Sequence, residues 1–326
     1  MKPSRRTFLQ LGAGAAALPF APQFAMAHAY PARPVRLVVG FAAGSSPDNS
    51  ARLIAQWLSE RLGQQFVVEN RPGAGTNIAT EAVVKAAPDG YTLLLAGASS
   101  TINATLYEKL GFNFIRDIAP VGTTIRLAAV MVVNPSFPAR TLPEFIAYAR
   151  ANPGTINMAA STIGGTDYIA GELFKSMTGV RIPIVPYRGG GASMQADIIS
   201  GQVQVAFPTT PSALGYIRTG QYRALAVTSA ERWPGLLDVP TVGEFVPGYE
   251  ATTFHGIGVP KHTPTNIIEK LNREINAAHA DPRMQARFAD LGGVPLPGSP
   301  ADFGRLIVSE TEKWGKVIRE ANLRPE

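Results

Sequence analysis

Short apolar runs alternate along the chain with stretches whose apolar residues recur every three or four positions. The runs predict β-strands, and the stretches predict amphipathic helices. The predicted strands are Val35–Phe41, Phe66–Glu69, Thr92–Ala96, Ala128–Val133, Ile156–Ala160, Ile182–Pro186, Val203–Phe207, Ala224–Thr228 and Phe254–Val259. The predicted helices are Asn49–Leu62, Asn77–Ala87, Leu142–Ala151, Asp167–Met177, Ala192–Ser200, Ser212–Thr219, Thr265–Ala280, Pro282–Asp290 and Pro300–Ala321.

Most of the predicted strands are continuous apolar runs and do not alternate with polar residues. Such strands are typical of sheets with helices on both faces, and the alternation of strands and helices predicts mainly parallel pairing. Apolar strands near Leu127–Asn134 and Ala251–Pro260 mark two places where the chain would cross between lobes. We therefore predict a two-lobed α/β fold. Its first lobe comprises residues 30–128 plus 254–326, and its second lobe comprises residues 129–253.

The N-terminus has the pattern of a twin-arginine export signal. Residues 4–9 read Ser-Arg-Arg-Thr-Phe-Leu, and an Ala-rich run follows, with an Ala-x-Ala site ending at Ala29. A membrane anchor is the alternative, but Pro19 and Pro22 interrupt the apolar run and leave it too short to span comfortably. We therefore exclude residues 1–29 from the fold and predict a periplasmic location.

Composition narrows the class of protein. A chain of 326 residues that is 45% hydrophobic can bury a substantial core. Without the three basic residues of the export signal, the formal net charge falls from +6 to +3, and no Lys or Arg run suggests nucleic-acid binding. The absence of cysteine excludes disulfides, thiolate catalysis and Cys-ligated metals.

The stretch Gly40–Asp48 is the first candidate binding loop, because it joins a buried strand to a helix. Such a turn leaves backbone N–H groups unpaired at the positive end of the helix dipole, and here the hydroxyls of Ser45 and Ser46 lie beside them. This combination can hold a carboxylate. The alternative is an ordinary tight turn that Pro47 stiffens and Asp48 caps.

Three further turns resemble Gly40–Asp48 in their hydroxyl and glycine residues. They are Met158–Asp167, Val185–Ala192 and Phe207–Ser212, and each places hydroxyls or glycines between a strand and a helix. Any one of them alone could be only a turn. Four such loops at the carboxyl ends of strands, shared between two lobes, favour a ligand-binding cleft.

Several strings resemble one protein family. Residues 67–75 read Val-Val-Glu-Asn-Arg-Pro-Gly-Ala-Gly, residues 88–94 read Pro-Asp-Gly-Tyr-Thr-Leu-Leu, and residues 185–189 read Val-Pro-Tyr-Arg-Gly. Together with matches around Ala149–Gly154 and Arg223–Thr228, they resemble the Bug-type extracytoplasmic solute receptors of tripartite tricarboxylate transporters. The resemblance extends over essentially the whole chain after the export signal.

The resemblance implies a two-lobed periplasmic-binding-protein architecture that closes on a small organic acid and delivers it to integral membrane subunits. It implies a monomer that is not an enzyme and needs no cofactor. In the family, carboxylate capture is attributed to loops that correspond here to Phe41–Asp48 and Ser161–Thr166. With the other candidate loops added, the predicted ligand-binding residues are Phe41, Ala43, Ser45, Ser46, Asp48, Ser161, Thr162, Gly164, Gly165, Thr166, Tyr187, Arg188 and Thr209.

The chain also departs from the family pattern at three positions. Ser45 stands where the family usually has a second glycine, and Tyr168 stands where it commonly has histidine. Many members carry an aspartate, able to receive a ligand's amino group, where this chain has Pro208. We therefore favour a carboxylic acid without an ammonium group.

A periplasmic hydrolase or cofactor-dependent enzyme is the alternative function. Gly73-Ala74-Gly75 follows a strand, but Ile78 replaces the last glycine of a dinucleotide fingerprint. The G-x-S-x-G elbow and the phosphate-binding P-loop are also absent. The absence of cofactor-binding and catalytic motifs agrees with a protein that only binds its ligand.

The histidines show no metal-binding spacing, since His255, His262 and His279 are spread over a strand end, a loop and a helix. His255 could line the cleft or be a structural histidine. Arg188 could pair with a ligand carboxylate or be solvated. We predict no metal site.

Overall fold

The computed structural model describes residues 30–161, 163–187 and 192–325. The predicted export signal lies outside these residues, as do Thr162 and the segment 188–191 that contains Arg188. None of the helices in the described part is long and apolar enough to cross a membrane.

Strands and helices alternate along most of the described chain. Strands β1–β11 are Val35–Val39, Phe66–Asn70, Thr92–Gly97, Ile118–Ala128, Val130–Val133, Met158–Ala160, Ile184–Pro186, Val205–Ala206, Arg223–Val227, Thr252–Pro260 and Gly293–Val294. Helices α1–α11 are Ser46–Leu62, Asn77–Val84, Ala98–Leu106, Phe114–Asp117, Leu142–Ala151, Thr166–Thr178, Ala192–Ser200, Thr210–Arg218, Thr265–Ala280, Pro282–Asp290 and Pro300–Glu320. Single 3₁₀ turns lie at Ala74–Thr76 and Val242–Glu244.

The strands form two sheets, one in each lobe. The first has the order β11-β4-β10-β3-β1-β2, and the second has the order β7-β6-β8-β5-β9. The predicted two-lobed α/β fold is confirmed.

Pairing within both sheets is mixed, whereas the sequence pattern predicts mainly parallel sheets. Strand β1 pairs in parallel with β2 and β3, but β10 runs antiparallel between β3 and β4. In the second sheet, β5 runs antiparallel between β8 and β9. The reason is the path of the chain: β4 leads out of the first sheet and β10 returns to it, so the two neighbours run in opposite directions.

The crossing between the sheets is short. Only Ala129 separates β4 from β5, and β4 pairs with β10 from Ile118 to Ala128. The predicted lobe boundaries at 128/129 and 253/254 fall close to these strands and stay a prediction. The paired crossing strands are where the two lobes can move relative to each other.

The first sheet is covered on both faces because side chains alternate along its strands. Val35, Leu37 and Val39 of β1 face a cluster that includes residues from α1 and α9. Val38 faces a separate cluster that includes Phe303 of α11. Continuous apolar strands are therefore required here, as the sequence pattern indicated.

Helices α3 and α11 connect the two lobes. Ile102 and Leu106 of α3 are buried in the same cluster as Trp314 and Ile318 of α11. That cluster also contains second-lobe residues such as Phe174. The C-terminal tail, which the sequence predicts to fold back on the first lobe, therefore also reaches the second-lobe core.

Helix α3 was not among the predicted elements, and most of β4 was missed as well. Residues 99–101 of α3 read Ser-Ser-Thr, which are weak helix formers. The helix is stabilised by burial of Ala98, Ile102 and Leu106, whose four-residue spacing was the available signal. In β4, the stretch Pro-Val-Gly-Thr-Thr at residues 120–124 weakens the strand pattern.

We expect Gly256→Ala to destabilise the protein, because β10 passes very close to α11. A Cβ at Gly256 would lie 2.5 Å from Phe303 Cζ and 2.9 Å from the Gly122 carbonyl oxygen. Overpacking of this kind costs about 1–3 kcal/mol, measurable as a lower urea midpoint. Gly215→Ala is the control, since a Cβ in α8 would meet nothing within 4 Å. An equal effect of both substitutions would contradict the close packing of β10.

Candidate functional site

A cavity of about 550 Å³ lies between the two lobes. It opens at the carboxyl ends of β1 and β3, where ligands bind in open α/β sheets, and the loops after β6 and β8 complete its wall. No Asp, Glu, Lys or Arg side chain is among the described residues that line it. The described wall therefore offers backbone groups, hydroxyls, an amide, an imidazole and apolar surface.

Several helices begin at this cavity. The N-caps of α3, α6 and α8 are Gly97, Gly165 and Thr209, and none of them makes a side-chain capping hydrogen bond. In contrast, the N-caps of α5, α10 and α11, which do not line the cavity, bond their own helices through side chains. Uncapped N–H groups at the positive ends of helix dipoles attract an anion.

The Asp48 carboxylate holds the first-lobe loop together through hydrogen bonds. One carboxylate oxygen accepts hydrogen bonds from Gly44 N at 2.8 Å and Arg52 Nε at 2.9 Å, and the other accepts from Asn70 Nδ2 at 2.8 Å. Asn70 Nδ2 also donates to the Phe41 carbonyl oxygen at 3.0 Å. The fully partnered, buried carboxylate therefore holds the loop between β1 and α1 in shape.

The pKa of Asp48 reflects these contacts. Burial alone would raise the pKa of the carboxyl group, but the hydrogen bonds from Arg52, Gly44 and Asn70 and the charge of Arg52 outweigh it. The pKa is lowered from its ordinary value. Asp48 is therefore ionised at neutral pH.

Asp167 closes the second-lobe loop in the same way. Its carboxylate accepts hydrogen bonds from Ser161 N at 2.6 Å, Ser161 Oγ at 2.8 Å and Tyr168 N at 2.9 Å. Burial raises the pKa of Asp167, while these donors oppose the shift. Each lobe thus has an aspartate in the first turn of a helix, and the carboxylate of that aspartate accepts hydrogen bonds from the preceding loop.

Both aspartates lie inside their helices, so the alternative interpretation of the sequence, in which Asp48 caps its helix, is wrong. The N-cap of α1 is Ser45, which accepts a hydrogen bond from Asp48 N at 3.4 Å, and the N-cap of α6 is Gly165. The helices start earlier than predicted because Ser46–Pro47 and Thr166 adopt helical geometry. Proline is favoured in this first turn.

The structure brings together seven of the predicted site residues along the cavity wall. They are Phe41, Ser46, Ser161, Gly164, Gly165, Thr166 and Thr209. Thr162 and Arg188 lie outside the described residues.

Four predicted residues do not line the cavity. Ala43 is exposed, Ser45 caps α1, and Asp48 is occupied by its loop. The Tyr187 hydroxyl instead donates to Asp197 Oδ2 at 2.6 Å. These side chains are therefore structural or peripheral to the cavity, although Ser45 and Asp48 shape its wall.

Sequence reasoning missed several lining residues. The loop Gly73–Thr76, the start of α3 at Gly97–Ser99, Asn103 and Tyr107 all line the cavity. Gly73–Gly75 belongs to the family-like string, which was the available signal for that loop. The others depend on α3, which the pattern did not predict.

Two glycines permit close approaches around the cavity. A Cβ at Gly40 would lie 2.5 Å from the Thr76 Cβ, so Gly40 lets the Gly73–Thr76 loop pack on the end of β1. Gly164 has a φ of +77° and packs directly against Leu106 of α3. The second-lobe loop thus touches the first lobe across the cavity.

His255 of β10 lines the cavity, which resolves the two alternatives from the sequence. It is only 6% exposed, and its Nδ1 has no hydrogen-bond partner. Burial lowers its pKa to about 4. The imidazole is therefore neutral at neutral pH.

Comparison with known proteins gives concordant matches. The model of the tripartite tricarboxylate transporter family receptor matches residues 50–323. Protein BugT of Bordetella pertussis is 35% identical over 301 residues, covering 91% of this chain and 92% of BugT.

Solved structures agree with the sequence matches. Rpa4515 of R. palustris with adipate is 37% identical, with a TM-score of 0.82, over 91% of this chain and 100% of that chain. MatC of Rhodopseudomonas palustris with bound malate is 30% identical, with a TM-score of 0.77, over 89% of this chain and 100% of that chain.

We expect Asp48→Asn to lower the free energy of unfolding by about 1–3 kcal/mol, because buried hydrogen-bond partners lose their acceptor. The pKa of Asp48 is lower in the folded state, so its stabilisation is complete above its unfolded pKa of about 3.9. It is lost as the pH falls through the folded pKa. Urea midpoints of both proteins should therefore converge in acid.

Asp302→Asn is the control for this prediction. Asp302 also bonds back to its N-cap, Ser299, but its side chain is 53% exposed. Asp302→Asn should lower the free energy of unfolding by less than Asp48→Asn does. Equal losses, or a gap between wild type and Asp48→Asn that is independent of pH, would contradict the structural role assigned to Asp48.

Proposed function

The chain belongs to the tripartite tricarboxylate transporter receptor family, and from that premise we propose that it captures a small carboxylic acid between its lobes. Family membership confirms the prediction of an extracytoplasmic solute-binding receptor and sets aside the alternative of a hydrolase or cofactor enzyme. The receptor would deliver its ligand to the integral membrane subunits of the transporter. We further propose that it acts as a monomer and is exported by the twin-arginine route.

The observation that carries this proposal is the set of helices that begin at the cavity with no capping hydrogen bond from the side chain of the N-cap residue. The N-caps Gly97, Gly165 and Thr209 come from both lobes and line the cavity, so the positive ends of three helix dipoles and their first-turn N–H groups lie at its wall. An acid bound there would accept hydrogen bonds from such N–H groups, and none of the described lining residues has a cationic side chain. The neighbours bound to adipate and malate support an acid as ligand.

The same lining argues against an amino acid as ligand. The described wall contains no carboxylate to pair with an ammonium group, and Pro208 stands where many family members carry an aspartate. Desolvating an unpaired ammonium group would be costly. We propose an acid that has no amino group.

Apolar side chains favour a ligand with a hydrocarbon portion. Leu95, Leu106, Leu127 and Ile163 line the cavity. Burying a methylene group against such a surface contributes about 0.8 kcal/mol. The ligand would therefore combine an acid group with a short carbon chain.

Binding would be coupled to closure of the lobes. The acid would contact the first-lobe loop, and the second-lobe loop at Gly164–Thr166 would then add its own N–H groups as the crossing strands flex. A ligand that binds the closed form better than the open one shifts the population toward it. The membrane subunits would recognise that closed form.

A thermal-shift screen with mono-, di- and tricarboxylates tests the proposed function. An acid present at a hundredfold excess over its dissociation constant stabilises the protein by about 2.7 kcal/mol, which raises the melting temperature. Ser46→Phe and Thr166→Phe should abolish the shift, because both side chains line the cavity. Failure of every acid to raise the melting temperature would overturn the proposal.

Asn49→Phe provides the matched control. Asn49 lies in the first turn of α1, near Ser46, but it is exposed and does not line the cavity. The ligand-induced shift should survive this substitution. Loss of the shift in all three variants would indicate damage to α1 or to the whole fold, and would contradict the assignment of the site.

A further inference from the structure

Residues Gly73–Thr76 form a left-handed turn in the cavity wall. All four line the cavity, and all four have a positive φ, which is +130° at Gly73, +46° at Ala74, +62° at Gly75 and +84° at Thr76. This backbone region suits glycine, but it is costly for alanine and rare for a β-branched threonine. Strain of this kind persists only where surrounding contacts impose it, and it is concentrated at functional sites.

Asn103 of α3 supplies a side-chain hydrogen bond that holds the left-handed turn. Its Nδ2 donates to the Gly75 carbonyl oxygen and, at 3.1 Å, to Oδ1 of Asn77, which follows the turn. Within the turn, Thr76 N donates to the Gly73 carbonyl oxygen at 3.0 Å. Asn103 is only 4% exposed, so its amide has little freedom to turn away from Gly75.

Packing also confines the left-handed turn. A Cβ at Gly75 would lie 3.1 Å from Tyr107 Oη and 3.2 Å from Asn103 Nδ2. A Cβ at Gly40 would lie 2.5 Å from the Thr76 Cβ. The turn is therefore held between α3 and the end of β1.

Helix α3 contacts the second lobe as well. Asn103 and Leu106 are three residues apart, so they share a face of the helix, and both line the cavity. Leu106 packs directly against Gly164 of the second-lobe loop. The helix that holds the left-handed turn thus also meets the loop that would close on the ligand.

We propose that Asn103 is a positioning residue for ligand capture, which holds the left-handed turn in the conformation that binds the acid. Its hydrogen bond offsets the cost of the positive φ values at Ala74 and Thr76, so this part of the wall has its binding shape before the ligand arrives. When only a fraction of the molecules has the competent conformation, the apparent affinity falls by that fraction. This inference rests on the proposed function and adds to it a residue that acts through the shape of the wall.

Calorimetric titration of Asn103→Leu tests the proposal. The probe is whichever of acetate, succinate, malate, adipate and citrate binds wild type most tightly. At a temperature where circular dichroism shows the variant to be folded, its affinity should fall about tenfold or more, the order expected for one lost hydrogen bond. Asn103→Ala removes the same donor and replaces the leucine variant if that one does not fold.

A glycine in the left-handed turn separates positioning from direct contact with the acid. Ala74 is exposed and carries only a methyl group, and glycine adopts its φ of +46° without steric cost. Adding Ala74→Gly to Asn103→Leu should therefore recover about threefold or more of the lost affinity. Ala43→Gly is the matched control, because Ala43 is an exposed loop alanine whose φ is not positive and which does not line the cavity. It should recover none.

Asn272→Leu controls for the loss of a side-chain amide elsewhere. Asn272 Nδ2 also donates to backbone carbonyl oxygens, those of Val121 at 2.8 Å and Gly298 at 2.9 Å, but Asn272 does not line the cavity. This substitution should lower the melting temperature and leave the affinity for the acid unchanged.

The outcomes separate this inference from the proposed function. A lower melting temperature with unchanged affinity in the Asn103 variants would overturn the positioning role. A loss of affinity that Ala74→Gly does not recover, that Ala43→Gly recovers equally, or that Asn272→Leu reproduces would also overturn it. Each of these results leaves the carboxylate receptor standing, whereas failure of wild type to bind any of the acids would overturn both.

Discussion

Backbone N–H groups at the starts of the cavity-facing helices are the constraint on which the rest of the structure depends. Such groups need acceptors, and in α5, α10 and α11 the side chain of the N-cap residue supplies one. The N-caps of α3, α6 and α8 at the cavity make no such side-chain hydrogen bond, while Asp48 and Asp167 accept hydrogen bonds from the preceding loops. Each lobe thus presents a preformed loop, and a ligand does not have to order it.

The two lobes are joined in a way that allows closure without losing alignment. Strands β4 and β10 pair along nearly their full length, so the crossing acts as a ribbon of two antiparallel strands. Helices α3 and α11 carry apolar side chains into the second-lobe core. Because α3 also begins at the cavity wall, its position links the packing between lobes to the shape of the site.

The lack of charged side chains among the described lining residues would give selectivity of a particular kind. Dipoles and hydroxyls stabilise an anion only when it meets them in the correct geometry, whereas a lysine or arginine would attract any anion at longer range. Burial against Leu95, Leu127 and Ile163 would in addition stabilise a bound ligand that has a hydrocarbon chain of suitable length. In the proposed site, shape and hydrogen bonding would therefore select the acid.

The sequence by itself determined the local features. Apolar runs and glycine- and hydroxyl-rich turns marked the strands, the loops around Ser46 and Gly164–Thr166, and the alternation of an α/β fold. These features arise from residues close together in the chain. Tertiary structure decided the mixed pairing of the sheets, the formation of α3, the strained Thr76 and the burial of His255. Each of these depends on contacts between distant segments, such as Thr76 on Gly40 and Ile102 on the second-lobe core. Local propensity disfavours both helix α3 and the positive φ of Thr76, and packing between distant segments stabilises them nevertheless.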